Sequence, residues 1–173
     1  MAEVIKTYRQ SVPAMRFIGK KYGDGDRVNG GFGTQWGEWF ANGWFDGLEK
    51  GCDPAASYDD GGAYVGLMRW KEGEPFEYWI GMFCPASAAA PEGYSSVDFG
   101  PADLGVAWLY GKDGEVYGQE CKCAESCEKE GYQIIADDRG AYWVFERYAC
   151  PRFTTPDDKG NIILDICHYI QRN

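Results

Sequence analysis

Apolar and polar residues along this chain fall into two periodicities. Short runs rich in β-branched and aromatic residues, each bounded by Gly, Pro or Asp, predict strands at Met15 to Lys20, Tyr64 to Trp70, Phe76 to Cys84, Leu104 to Tyr110, Tyr142 to Tyr148 and Ile162 to Ile170. Between the first two, Phe32, Trp36, Trp39, Phe40, Gly43 and Trp44 recur at intervals of three and four, the stripe of an amphipathic helix diluted by glycines. A second, less apolar helix is predicted from about Glu115 to Glu130, with Gly131 as its terminator.

Taken in order, these elements read strand, helix, strand, strand, and then the same again. YVGLMRW followed by FEYWIGMFCP in the first half corresponds to AYWVFERY followed by NIILDICHYI in the second, and the Pro-, Ala-, Gly- and Ser-rich PASAAAPEGYSSVDFGPADLG reads as the connection between halves. The expected architecture is α+β: duplicated β-α-β-β units, about 3–88 and 94–171, forming a mostly antiparallel sheet with two helices on one face and a groove between them. At 173 residues, the expectation is one domain over 1–173.

The run AYWVFERYACPRF carries a Glu-Arg pair inside an aromatic strand. Alternate strand residues point to opposite faces, so Glu146 shares a face with Tyr142, Val144 and Tyr148, while Arg147 goes with Trp143, Phe145 and Ala149. The carboxylate therefore looks into aromatic surroundings without its neighbouring guanidinium, which is unfavourable unless something compensates it. Arg69, from another strand, is one candidate partner, and a ligand is another.

Composition narrows the choice of ligand. Aromatic residues make up 16 % of the chain, with 7 Trp, 12 Tyr and 9 Phe, more than a core of this size needs, so some rings are expected to line a cavity. A formal net charge of −10 argues against direct nucleic-acid binding and favours cationic or neutral partners. MAEVIKTYRQ has no apolar signal region and no run is long enough to span a bilayer, so the expectation is a cytoplasmic protein with no membrane partner and with its 7 cysteines reduced.

The duplicated pattern, together with VPAMRFIGKKY, FEYWIGMF, PEGYSSVDFGPADLGVAWLYG, FERY and ILDICHYI, resembles the GyrI-like small-molecule-binding domain, the effector-binding module also found in AraC-type and multidrug-responsive transcription regulators. The resemblance runs from about residue 3 to residue 171 and rests on order and spacing. It implies a pseudo-twofold α/β sandwich with a ligand cavity between the repeats, and in multidrug-binding members a glutamate among tyrosines at the cavity floor. FERY supplies that residue as Glu146. Where many members end on Glu-Ile-Tyr, this chain has Asp165, Ile166 and Cys167. The helix-turn-helix that precedes the module in regulators has no counterpart before it here, which points to a stand-alone binder of a hydrophobic or cationic small molecule. Some members instead hydrolyse cyclopropane-bearing alkylating natural products, and others inhibit gyrase through protein contact, so a protein partner stays open.

The expected site is Glu146 as floor, or as catalytic acid-base group if the protein is an enzyme, with Tyr142 and Tyr148 as walls from its own strand and Trp36 and Trp39 from the first helix. Asp165, alternating with Ile163, Cys167 and Tyr169, is expected to face the same cavity. Glu77 is a candidate partner in the pseudo-symmetric position. CKCAESC, with Cys121, Cys123, Cys127 and the single His168, does not have the paired Cys-x-x-Cys spacing of a zinc site, so no metal and no cofactor are expected. GDGDRVNGGFG lacks the residues of a phosphate loop and reads as a flexible segment able to cover the cavity.

Overall fold

The computed structural model describes residues 1–173. Strands β1 (Glu3–Val12), β2 (Met15–Gly23), β3 (Tyr64–Trp70), β4 (Glu77–Pro85), β5 (Ser95–Phe99), β6 (Ala102–Gly111), β7 (Tyr142–Tyr148) and β8 (Ile162–Ile170) form one antiparallel sheet in the order β1-β6-β8-β7-β3-β4-β2-β5. Helices α1 (Gly33–Ala41) and α2 (Trp44–Cys52) lie between β2 and β3, and α3 (Glu120–Lys129) lies between β6 and β7. The α+β class and the duplication both hold: β2-α-β3-β4 and β6-α-β7-β8 occupy matching places, and β3 and β7 meet at the centre.

Differences from the sequence expectation have local causes. β1 is an edge strand whose row of polar and charged residues, including Lys6 and Arg9, hides its periodicity. β5 lies inside the expected connector and forms the opposite edge. These two strands exchange halves, β1 pairing with β6 and β5 with β2. The aromatic stripe is two helices rather than one, because Gly43 adopts φ 66° and turns the chain between them. The C-terminal helix starts later than expected; Gly114 and Gly118, at φ 91° and 71°, occupy the preceding segment in a conformation a helix does not tolerate.

Direct cross-strand partners share a face of the sheet. One row runs Lys20–Ile80–Gly66–Glu146–Ile166–Ala107–Thr7 across seven strands. Ile80 packs beneath α1 and α2 with Ile18, Met82, Trp39, Phe45 and Leu48, whereas Ile166 and Ala107 pack beneath α3 with Leu109, Leu164, Val116 and Cys123. Both helical layers therefore cover the same face, and Gly66 and Glu146 lie in the gap between them. The other face closes on itself. Phe99 of edge strand β5 stacks on Tyr169 of β8 with centroids 5.3 Å apart, although five strand spacings of about 4.8 Å would separate these strands in a flat sheet. That curl seals a core of Phe17, Leu67, Phe83, Val106 and Phe145.

Candidate functional site

The gap between the helical layers is a cavity of about 1070 Å³, lined among others by Trp36, Phe40, Tyr64, Tyr78, Tyr117, Glu146, Tyr148 and Phe153. Glu146 is only 7 % exposed. Tyr78 donates its hydroxyl to Oε1 at 2.8 Å and Tyr148 donates to Oε2 at 2.9 Å, so each carboxylate oxygen holds one neutral donor. The Trp36 indole N–H donates in turn to the Tyr78 hydroxyl at 3.0 Å. Phe32 stacks on the Tyr78 ring at 4.3 Å with planes 2° apart, and Trp36 meets Tyr148 edge-on at 5.0 Å. These contacts leave each hydroxyl little choice of direction.

Gly66 makes the arrangement possible. A Cβ there would stand 2.4 Å from the Tyr78 hydroxyl and 2.7 Å from Glu146 Oε1, so any side chain on β3 at this point displaces the floor.

No Arg, Lys or His lies among the cavity's lining residues. Burial pushes the Glu146 carboxyl up to about 7; the two tyrosine hydrogen bonds pull it down, and Glu120 at the start of α3 adds to the rise. Burial likewise pushes the Tyr78 and Tyr148 phenols far up, so they remain donors at neutral pH. The floor is thus a carboxyl poised between its two charge states, with both oxygens satisfied and no counter-ion.

Of the expected site residues, Glu146, Tyr148 and Trp36 meet in this cavity. Tyr142 does not. It shares the Glu146 face, but four residues of strand, about 13 Å, separate them, and it sits 43 % exposed against Trp70. Trp39 is fully buried in the core between Phe45 and Trp44, its indole N–H donated to the Tyr22 hydroxyl at 3.1 Å. Asp165 faces away from the cavity: the register pairs it with Arg147, not with Glu146, and it is fully buried on the opposite face with its oxygens on Arg147 Nε at 2.8 Å and Arg152 Nε at 2.8 Å. Alternation within β8 is as expected, but only the pairing decides which face its odd-numbered residues take.

Arg69 does not reach Glu146; it pairs with Glu74 and Glu77. Glu77 is thereby held at the end of β4 and takes the Trp79 indole N–H as well, away from the cavity. Cys123 and Cys127 are buried under α3, where burial pushes their thiols up to about 12 and about 11, while Cys121 is exposed. The glycine-rich segment carries Phe32, whose ring stacks on Tyr78, and its last residue, Gly33, lines the cavity itself.

Tyr78, Tyr64, Tyr117, Phe40 and Phe153 were not expected here. A signal for the first existed in the letters: a glycine inside the apolar strand YVGLMRW marks a close approach from a neighbouring element, and what approaches Gly66 is Tyr78 with Glu146.

No protein-family model matches the chain, and no curated protein matches it by sequence. Among solved structures, SAV2435 bound to tetraphenylphosphonium superposes with a TM-score of 0.65 at 13 % identity, covering 96 % of this chain and 94 % of that one. A protein from Staphylococcus aureus MU50 assigned to transcription regulation gives 0.61 at 14 %, covering 96 % and 99 %. A hydrolase from Listeria innocua gives 0.52 at 12 %, covering 96 % and 92 %. Identities this low establish a likeness of fold, and the chain shares its fold with these proteins over nearly its whole length.

Proposed function

We propose that this protein is a GyrI-like binder of small lipophilic cations, with Glu146 as counter-charge and Tyr78, Tyr148, Trp36, Tyr64 and Phe153 as the surrounding rings. The observation that carries this reading is a carboxyl buried in a large ring-lined cavity without any basic side chain on its walls. An organic cation has little hydration to lose, meets the carboxylate in a low dielectric, and gains about 0.5–2 kcal/mol from each ring face it covers. The likeness to a fold that holds tetraphenylphosphonium in SAV2435 supports the same direction.

Glu146→Gln preserves shape and removes the charge. Isothermal titration with tetraphenylphosphonium at pH 8 is expected to show affinity falling on the order of tenfold to a hundredfold, that is about 1.4–2.8 kcal/mol. Unchanged affinity would remove the electrostatic basis of the proposal. Because the ionised carboxylate is the stronger binding form and burial pushes the carboxyl up to about 7, wild-type affinity is expected to be level above that pH and to fall below it toward the affinity of Glu146→Gln.

A second reading draws on the same titration. A carboxyl near neutrality beside two phenols can take a proton from water and return one to a leaving group, so hydrolysis of a strained electrophile is chemically available. Incubation with a cyclopropane-bearing alkylator, followed by mass spectrometry for the water adduct, tests this; yields equal to the Glu146→Gln control rule it out.

A further inference from the structure

Three carboxylates face the cavity. Glu146 forms the floor, while Glu49 from α2 and Asp113 from the turn after β6 are solvent-exposed and belong to opposite halves of the chain. Each of the outer two is held by a tyrosine that also lines the cavity: Tyr64 donates to Glu49 Oε1 at 2.7 Å, and Tyr117 donates to Asp113 Oδ1 at 3.0 Å. None of the three has a basic group within 4.0 Å, in contrast to Asp60, Asp98, Asp103 and Asp165, which are all paired with arginines. The volume of about 1070 Å³ lies just above the range of roughly 300–1000 Å³ usual for ligand pockets.

A compact monocation seated on Glu146 neutralises the floor and leaves two carboxylates at the mouth, plus unfilled space between. We propose that the cavity is shaped for an elongated dication, an apolar body with one charged centre on Glu146 and a second at the mouth with Glu49 and Asp113. This rests on the cation-binding reading of the floor and names the class of ligand it takes. The two contributions differ in kind. The floor charge acts in a dry surrounding, whereas the mouth charges are screened by water and salt, so the second centre adds less than the first and its effect fades with ionic strength.

The test compares an alkane-diyl bis(triphenylphosphonium) with the monophosphonium of the same chain ending in a neutral triphenylmethyl group, which has nearly the same shape and one charge fewer. At low salt the dication is expected to bind wild type about three- to tenfold more tightly. In the double variant Glu49→Gln, Asp113→Asn the ratio of the two affinities is expected to collapse to about two, the statistical factor of a probe with two equivalent ends, and high salt is expected to reduce it likewise in wild type. A ratio no greater than about two in wild type, or a larger ratio that survives the double variant, overturns the dication proposal while the floor reading stands as long as the monocation still depends on Glu146. Binding of neither probe overturns both. Circular dichroism of the double variant verifies the fold; since both substitutions are of exposed side chains, native spectra are expected.

Discussion

Glu146 and Arg147 are adjacent on β7, both buried, and solved in opposite ways. Arg147 is fully buried and surrounded: Asp165 takes its Nε at 2.8 Å, Asp60 lies 3.5 Å from Nη1, Gln10 accepts from Nη1 at 2.8 Å, and Arg152 ties the same two aspartates together. Glu146, on the other face, has two neutral hydroxyls and a cavity. One charge is compensated within the chain and serves the fold, joining β1, β7, β8 and the segment after α2. The other has no charged partner within the chain and opens on the cavity. A buried charge with partners is held by the fold, and a buried charge without them is costly unless its pKa shifts or a ligand compensates it.

The sharpest way to break this contrast is to remove Arg147. Arg147→Met leaves Asp165 and Asp60 with Arg152 as their sole cationic partner and is expected to destabilise the protein by about 3–5 kcal/mol in urea denaturation. A loss below 1 kcal/mol would mean that the network contributes nothing specific and that the two faces are not energetically different.

The opposite sign is expected next door. A carboxyl raised from its ordinary 4.5 to about 7 in the folded state is destabilising once ionised, so wild-type stability declines as pH climbs through that window and then levels. Glu146→Gln escapes the decline, and at pH 8 the ligand-free variant is expected to be more stable than wild type by about 3 kcal/mol, with the difference shrinking toward pH 4. His168 acts in the contrary direction and is common to both proteins: buried neutral with its value down at about 4, it lowers stability as pH falls below 6.5. The comparison of variant with wild type cancels it. A Gln variant less stable than wild type at every pH would indicate that Glu146 is a structural partner rather than a waiting counter-charge.

The smallest effect tests how the floor is tuned. Tyr148→Phe removes the hydroxyl on Oε2, and the midpoint of the pH dependence of cation binding is expected to move up by about one unit, roughly 1.4 kcal/mol. A midpoint that stays in place assigns the tuning to burial and Tyr78.

The split between Glu146 and Arg147 was legible because it needs only the two-residue period of a strand. The same local rule reached Tyr148, two residues on, and the three-to-four spacing reached Trp36. It failed at Tyr142, which has the right face but lies at the far end of the strand, and at Trp39, where the stripe alone does not separate the core side of a helix from its cavity side. It failed most plainly at Asp165, whose face depends on pairing across the sheet. β1 and β5 escaped because edge strands carry polar residues on the side no neighbour covers.

What the sequence determined by itself is therefore everything that depends on neighbours along the chain: the duplicated elements, their antiparallel class and the separation of one acid from one base by a single peptide unit. Which residues answer that acid depends on contacts across the sheet. Tyr78 and Gly66 lie 68 and 80 residues from Glu146 along the chain and reach it through strand register, and Tyr64, Tyr117 and Phe153 join them because two helical layers settle on the same face and leave a gap. Periodicity acts over a few residues and is written in the letters, whereas register is set by the whole sheet minimising its buried charge and exposed apolar surface at once.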